Sequence, residues 1–157
     1  MWRLNKLFIY TMKYLLTALF LYAFTANAQV PFTKKYKDSN ITDTCLYCGD
    51  TRATYTKNIA GKFQRSLDHS SVKWMSTSGR LYFEIAVDST GHSCVLSIKD
   101  EVHMNDLTEN IRRCINNIWD WTPAKLGGRA INSTVILELY FIGDAASVKF
   151  IKPEEAH

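Results

Sequence analysis

The sequence predicts an α+β domain of two layers, a three-stranded antiparallel sheet ordered second, first, third, with helices packed on one face. Three observations lead there. Leu81, Phe83, Ile85 and Val87 alternate with Tyr82, Glu84, Ala86 and Asp88, the period of two that gives a strand one buried face. Leu107, Ile111, Cys114, Ile115, Ile118 and Trp119 recur at spacings of three and four, as in a helix with a single apolar stripe. Thr134 to Phe141 alternates again, with Val135, Leu137, Leu139 and Phe141 as its inward set. A turn at Asp88-Ser89-Thr90-Gly91 pairs the first two strands as a hairpin, and the helix crossover then sets the third strand beside the first.

Residues 1–28 read as a cleaved signal peptide. Arg3, Lys6 and Lys13 form a basic start, Leu15 to Phe24 an apolar core too short for the ~20 residues of a spanning helix, and Ala26-Asn27-Ala28 a small-residue cleavage site before Gln29. This predicts a periplasmic protein, with an inner-membrane anchor facing the periplasm as the alternative. Cleavage removes three of the 19 basic residues and none of the 15 acidic ones, leaving 16 against 15. So nearly neutral a chain gives no electrostatic case for nucleic acid or an anionic membrane as a partner.

Residues 29–52 read as a polar N-terminal arm, 53–143 as the folded domain and 144–157 as a C-terminal tail. Within the arm, Cys45-Leu46-Tyr47-Cys48 fits a redox pair, half of a zinc site or a small loop closed by a disulfide. Zinc requires further ligands, and Cys94 and Cys114 do not form a second such pair; His69, His92 and His103 are scattered. A thioredoxin-like role requires a strand leading to a helix start at Cys45, and nothing strand-like precedes it. A structural disulfide in an oxidising compartment is the favoured reading, and neither a metal nor another cofactor is expected.

Tyr55, Ile59, Phe63 and Leu67 recur every fourth residue and predict a short helix on the sheet. His69-Ser70-Ser71 reads as a loop, because no nucleophile elbow or oriented base accompanies it. Asn105 is placed to cap the main helix, with Asp106 and Glu109 early and Arg112 and Arg113 late, in accord with the helix dipole. Trp119 and Trp121 read as core plugs and Gly127-Gly128 as a turn. Cys94 keeps phase with Leu96 and Ile98, and Cys114 with Ile111 and Ile115. Both are therefore expected between sheet and helix, where a disulfide would join them. No paired carboxylates or phosphate loop are set out, so no enzymatic turnover and no small-molecule substrate are expected.

In order and spelling, several segments together resemble a known family. Gly79-Arg80-Leu81-Tyr82-Phe83 opens the first strand, Val87-Asp88-Ser89-Thr90-Gly91 makes the hairpin, and Trp121-Thr122-Pro123-Ala124 with Gly128 and Ile131 precedes the last strand. The sequence is similar to the C-terminal domain of TonB, the periplasmic energy transducer that reaches outer-membrane transporters. On that resemblance Gly79, Asp88, Gly91, Trp121, Pro123, Ala124 and Gly128 are structural positions. The resemblance also implies that the edge strand of the domain pairs with a short segment of a TonB-dependent outer-membrane transporter, in a system for transmembrane transport.

The strand order leaves Thr134, Val135, Ile136, Leu137, Glu138, Leu139, Tyr140 and Phe141 outermost, without the proline or inward charge that usually blunts an edge, and so predicts partner-strand addition there. The sheet face away from the helices would show Tyr82, Glu84, Ala86, Val95, Ile136, Glu138 and Tyr140, an apolar set that a second copy of the chain or the N-terminal arm would cover. The other function classes carried by the sequence are a stand-alone periplasmic interaction or structural protein with this fold, and a redox or metal module at Cys45 and Cys48.

Overall fold

A computed structural model describes residues 32–36, 41–42, 44–46, 48–69, 74, 76–143 and 145–151. The signal-peptide segment lies outside them. The elements are β1 (Lys34–Lys35), β2 (Cys45–Leu46), α1 (Ile59–Asp68), β3 (Thr77–Val87), β4 (Ser93–Asp100), α2 (Asn105–Asn116), β5 (Ala124–Leu126), β6 (Arg129–Ile131), β7 (Ser133–Gly143) and β8 (Ala145–Ile151). The class is α+β, with one mixed sheet of six strands in place of the three expected. Its order is β1-β4-β3-β7-β2, and β8 also pairs with β7; β5 and β6 form a separate hairpin.

The alternation in β3 and β7 builds the core. Leu81, Phe83 and Ile85 lie opposite Leu139, Leu137 and Val135 in an antiparallel ladder that runs from Thr77–Gly143 to Val87–Ser133. All six are buried, in one cluster with Ile59, Phe63 and Leu67 of α1 and Leu107, Ile111 and Ile115 of α2. Fully burying such a side chain is worth about 1.5–3 kcal/mol, so the facing stripes of strand and helix are the main favourable term in this fold. Asn58 caps α1 by accepting from Gly61 N at 2.8 Å. Asn105 does not cap α2. Asp100 organises that entry, accepting from the backbone N–H of Val102 and His103 and from the Thr108 hydroxyl.

β4 departs from its simple period. Glu84 lies opposite Ser97 but Ile85 opposite Val95, so Leu96 is an extra residue, a bulge that reverses the facing of everything before it. Val95 and Ile98 enter the main core, and Val95 is therefore not on the outer face. Cys94 lies opposite Ala86 on the far side of the sheet, and Cys114 sits on α2 with its thiol 3.9 Å from Lys62 O of α1. The two are free thiols, and the expected Cys94–Cys114 disulfide does not form. The bulge defeats the phase argument on which that bond rested.

Two aromatic expectations separate in the same way. Trp121 is 4% exposed and packs on Tyr55 and Phe150, whereas Trp119 is 65% exposed and meets His92 at a tilt of 57° with ring centroids 3.8 Å apart. Trp119 follows the end of α2, where the chain has left the helical stripe, so it is no core plug. On the outer face Tyr82, Ile136 and Ile151 form a second small cluster, with Phe32 of the arm packed against it.

Candidate functional site

The motif residues of the hairpin and the Trp-Pro bend converge on one end of the sheet. Asp88 Oδ1 accepts from Thr90 N at 2.8 Å, His92 N at 2.9 Å and Thr90 Oγ1 at 2.7 Å. Burial alone would raise this carboxyl, but those hydrogen bonds and the nearby His92 outweigh it and hold the pKa below the usual aspartate range. Gly91 ends the turn at φ +92°, and a Cβ built there would stand 2.5 Å from Trp121 O. Its carbonyl accepts from Trp121 N at 3.2 Å, so hairpin and Trp-Pro bend meet backbone to backbone. Thr122 and Thr54 exchange two hydrogen bonds of 2.9 Å, and Lys125 pairs with Thr51, which lays the segment before α1 along the bend. Ala124 is fully buried, and Gly127 and Gly128, both at positive φ, make the two-residue turn between β5 and β6.

This frame holds the start of β7. Ser133 and Thr134 pair in parallel with Cys45 and Leu46 of β2. From Ile136 to Ile142 the same side of β7 is taken by β8, antiparallel, with Leu139 opposite Val148 and Glu138 opposite Lys149. Thr134 to Phe141 is therefore not an open edge. The segment expected as a tail supplies the covering strand, because Ala146, Val148 and Phe150 alternate after Gly143, and Val148 and Phe150 bring apolar surface to the core beside α1. That period was present in the sequence and is the signal the edge prediction overlooked. The arm is likewise part of the sheet. Lys34 and Lys35 pair with β4, and Lys34 and Tyr36 both bond Glu109 Oε1 at 2.8 Å.

Facing along β7 follows the predicted alternation. Val135, Leu137, Leu139 and Phe141 point into the main core, while Ile136 lies in the outer cluster. Glu138 is 3.3 Å from Arg80, whose guanidinium also lies over the Tyr140 ring at 5.2 Å. Next to this strand, Cys45 and Cys48 form a disulfide with Cα atoms 5.6 Å apart. Cys45 is exposed, and the bridge closes the arm where β2 docks on β7. Among the described residues, no group of three or more His, Cys, Asp or Glu could hold a metal ion, and no helix is long and apolar enough to cross a membrane.

The residues thus brought together are those of the hairpin, the Trp-Pro bend and the first half of β7; Gly79 stands apart near the other end of the β3–β7 ladder, opposite Phe141. What the arrangement can do chemically is main-chain pairing. Comparison with protein-family models, with curated proteins and with solved structures gave no match to this chain.

Proposed function

We propose that this is a non-enzymatic periplasmic binding module of the TonB C-terminal type, which takes an extended segment of an outer-membrane transporter onto the β7 edge in a system for transmembrane transport. The observation that carries the reading is β8. A seven-residue strand already lies antiparallel on Ile136–Ile142, so this edge accepts an added strand with the alternation a partner segment would use. β8 is also lightly held, since Ala145, Ala146, Ser147 and Lys149 are exposed and Ile151 alone of the strand is buried. Exchanging it for a partner strand swaps one set of main-chain hydrogen bonds for another, which keeps the net cost small. The sequence motifs of the hairpin and the Trp-Pro bend support the family reading, and the basic, apolar and small-residue order of residues 1–28 supports the compartment.

The same closure favours a second reading, a stand-alone structural or interaction protein whose edge is permanently sealed by its own C-terminal strand. A covalent lock separates the two. Glu138 and Lys149 are direct cross-strand partners, so Glu138→Cys with Lys149→Cys would tie β8 to β7. Peptides from the N-terminal segments of transporters of the same organism are titrated into the isotope-labelled domain. The transporter reading expects amide shifts at 134–141 with displacement of β8 in the unaltered chain, and none in the locked one. If the unaltered chain shows no shift on β7, the stand-alone reading takes its place.

A further inference from the structure

A groove of about 340 Å³ runs between α1 and α2, on the side of α1 that faces away from β8. Its rim carries three cations and no carboxylate: Lys62 and Arg65 from α1, Arg113 from α2. The Lys62 ammonium is already engaged by groups that do not line the groove, the Asp120 carboxylate at 3.5 Å and the Tyr55 ring, 5.5 Å to its centroid. Arg65 and Arg113 have no carboxylate partner among the described residues; Arg113 is steered only by Asn110 Oδ1 and the Glu109 carbonyl, each at 3.4 Å. The Cys114 thiol lies half-buried in the wall, close enough to Lys62 and Arg65 to feel their charge, although burial still holds it above the usual thiol range. Ser66 and Asn117 add neutral polar groups at the margins.

Two guanidinium groups at one groove, one from each helix and neither with a carboxylate partner among the described residues, are a donor set for a tetrahedral oxyanion, with the Lys62 ammonium, partly neutralised by Asp120, beside them. The C-terminal end of α2 brings about half a negative charge toward the groove, which the two arginines outweigh even with Lys62 offset by Asp120. We propose that this groove binds a phosphoryl group, held by Arg65 and Arg113 with Lys62 as the third contact. It is a site independent of the β7 edge. The group could be carried by a soluble phosphate monoester or by a phospholipid head, and both offer the same chemistry to the forks.

Cys114 supplies the reporter. In a Cys94→Ala chain, alkylation of Cys114 by neutral iodoacetamide is timed with glycerol 3-phosphate, with phosphatidylglycerol vesicles, and with phosphatidylcholine vesicles as the zwitterionic control. A bound phosphoryl group both covers the thiol and adds negative charge beside it, so alkylation should slow at least about fivefold, the thiolate being the reactive form. Protection by glycerol 3-phosphate supports a soluble ligand, and protection by the anionic vesicles alone supports a lipid head. Replacing both exposed arginines, Arg65→Gln with Arg113→Gln, should weaken the protection by about tenfold or more, since each removes a charge-assisted pair. The proposal is overturned if neither phosphate probe protects Cys114, or if protection is unchanged in the double variant. Should Cys94→Ala disturb the fold, amide shifts of Ser66, Asn110 and Asn117 in the unaltered chain give the same decision.

Discussion

Gly91→Ala should destabilise the domain by about 3 kcal/mol, and the structure apportions the loss. At φ +92° a side chain costs about 1–2 kcal/mol from the left-handed backbone alone. The new Cβ would also stand 2.5 Å from Trp121 O, a backbone atom that cannot rotate away. Relieving that contact means separating the hairpin from the Trp-Pro bend, which gives up the Trp121 N to Gly91 O hydrogen bond, worth about 1 kcal/mol net. Gly127→Ala is the matched control, because its φ is +56° and a Cβ there meets nothing within 4 Å. It should cost only the dihedral term. Urea unfolding of the two variants, with unchanged slopes, measures both quantities. Equal losses at the two sites would refute the close approach of Gly91 and Trp121.

Other outcomes follow from the same geometry. Mass mapping of the oxidised protein should find a Cys45–Cys48 bridge with Cys94 and Cys114 as free thiols; a Cys94–Cys114 bond would contradict the bulge at Leu96. Burial would raise the Glu109 carboxyl, but Lys34, Arg112 and Tyr36 outweigh it and hold the pKa at about 2. Because the folded pKa is depressed, its stabilisation is complete above the ordinary value near 4.5 and is lost as pH falls from there toward 2. With 29% of the side chain still in water, the amount is about 1 kcal/mol, and Glu109→Gln should flatten this part of the acid-unfolding curve. Phe150→Ala should cost about 2 kcal/mol in thermal or urea unfolding, less than a fully buried aromatic, because the ring is only partly buried although it packs edge-on to Trp121. A loss of 4 kcal/mol or more would mean that β8 is a core strand and too firmly held to exchange.

The sequence was legible where one local period decides the structure. Leu81, Phe83 and Ile85, the stripe of Leu107, Ile111 and Ile115, and the inward set of β7 all occupy the core they predict, and Asp88 and Gly91 make the hairpin they spell. It was not legible where a partner strand decides. The extra residue at Leu96 is defined only by what β3 places opposite it, and that single insertion moved both Cys94 and Val95 to the opposite faces from those their spacing suggested. Ala146, Val148 and Phe150 carry a readable alternation, but three apolar positions after a glycine do not say which edge they will join. The strand from Thr134 to Phe141 forms where its alternation predicts it, within β7, but its edge is paired and not open. At the arm, Lys34 and Tyr36 gave no apolar period, and their docking rests instead on Glu109, a charge reached across 73 or more positions.

Hydrogen exchange along β7 and β8 tests the central claim most directly, since it asks of each amide whether the C-terminal strand gives way to a partner. In the free protein, amides of β8 should exchange much faster than those of β3. With a saturating transporter-derived peptide, residues 145–151 should lose what protection they have while 136–142 keep theirs, the peptide having taken the place of β8. Protection of β8 that equals that of β3, and is unmoved by the peptide, would contradict the account.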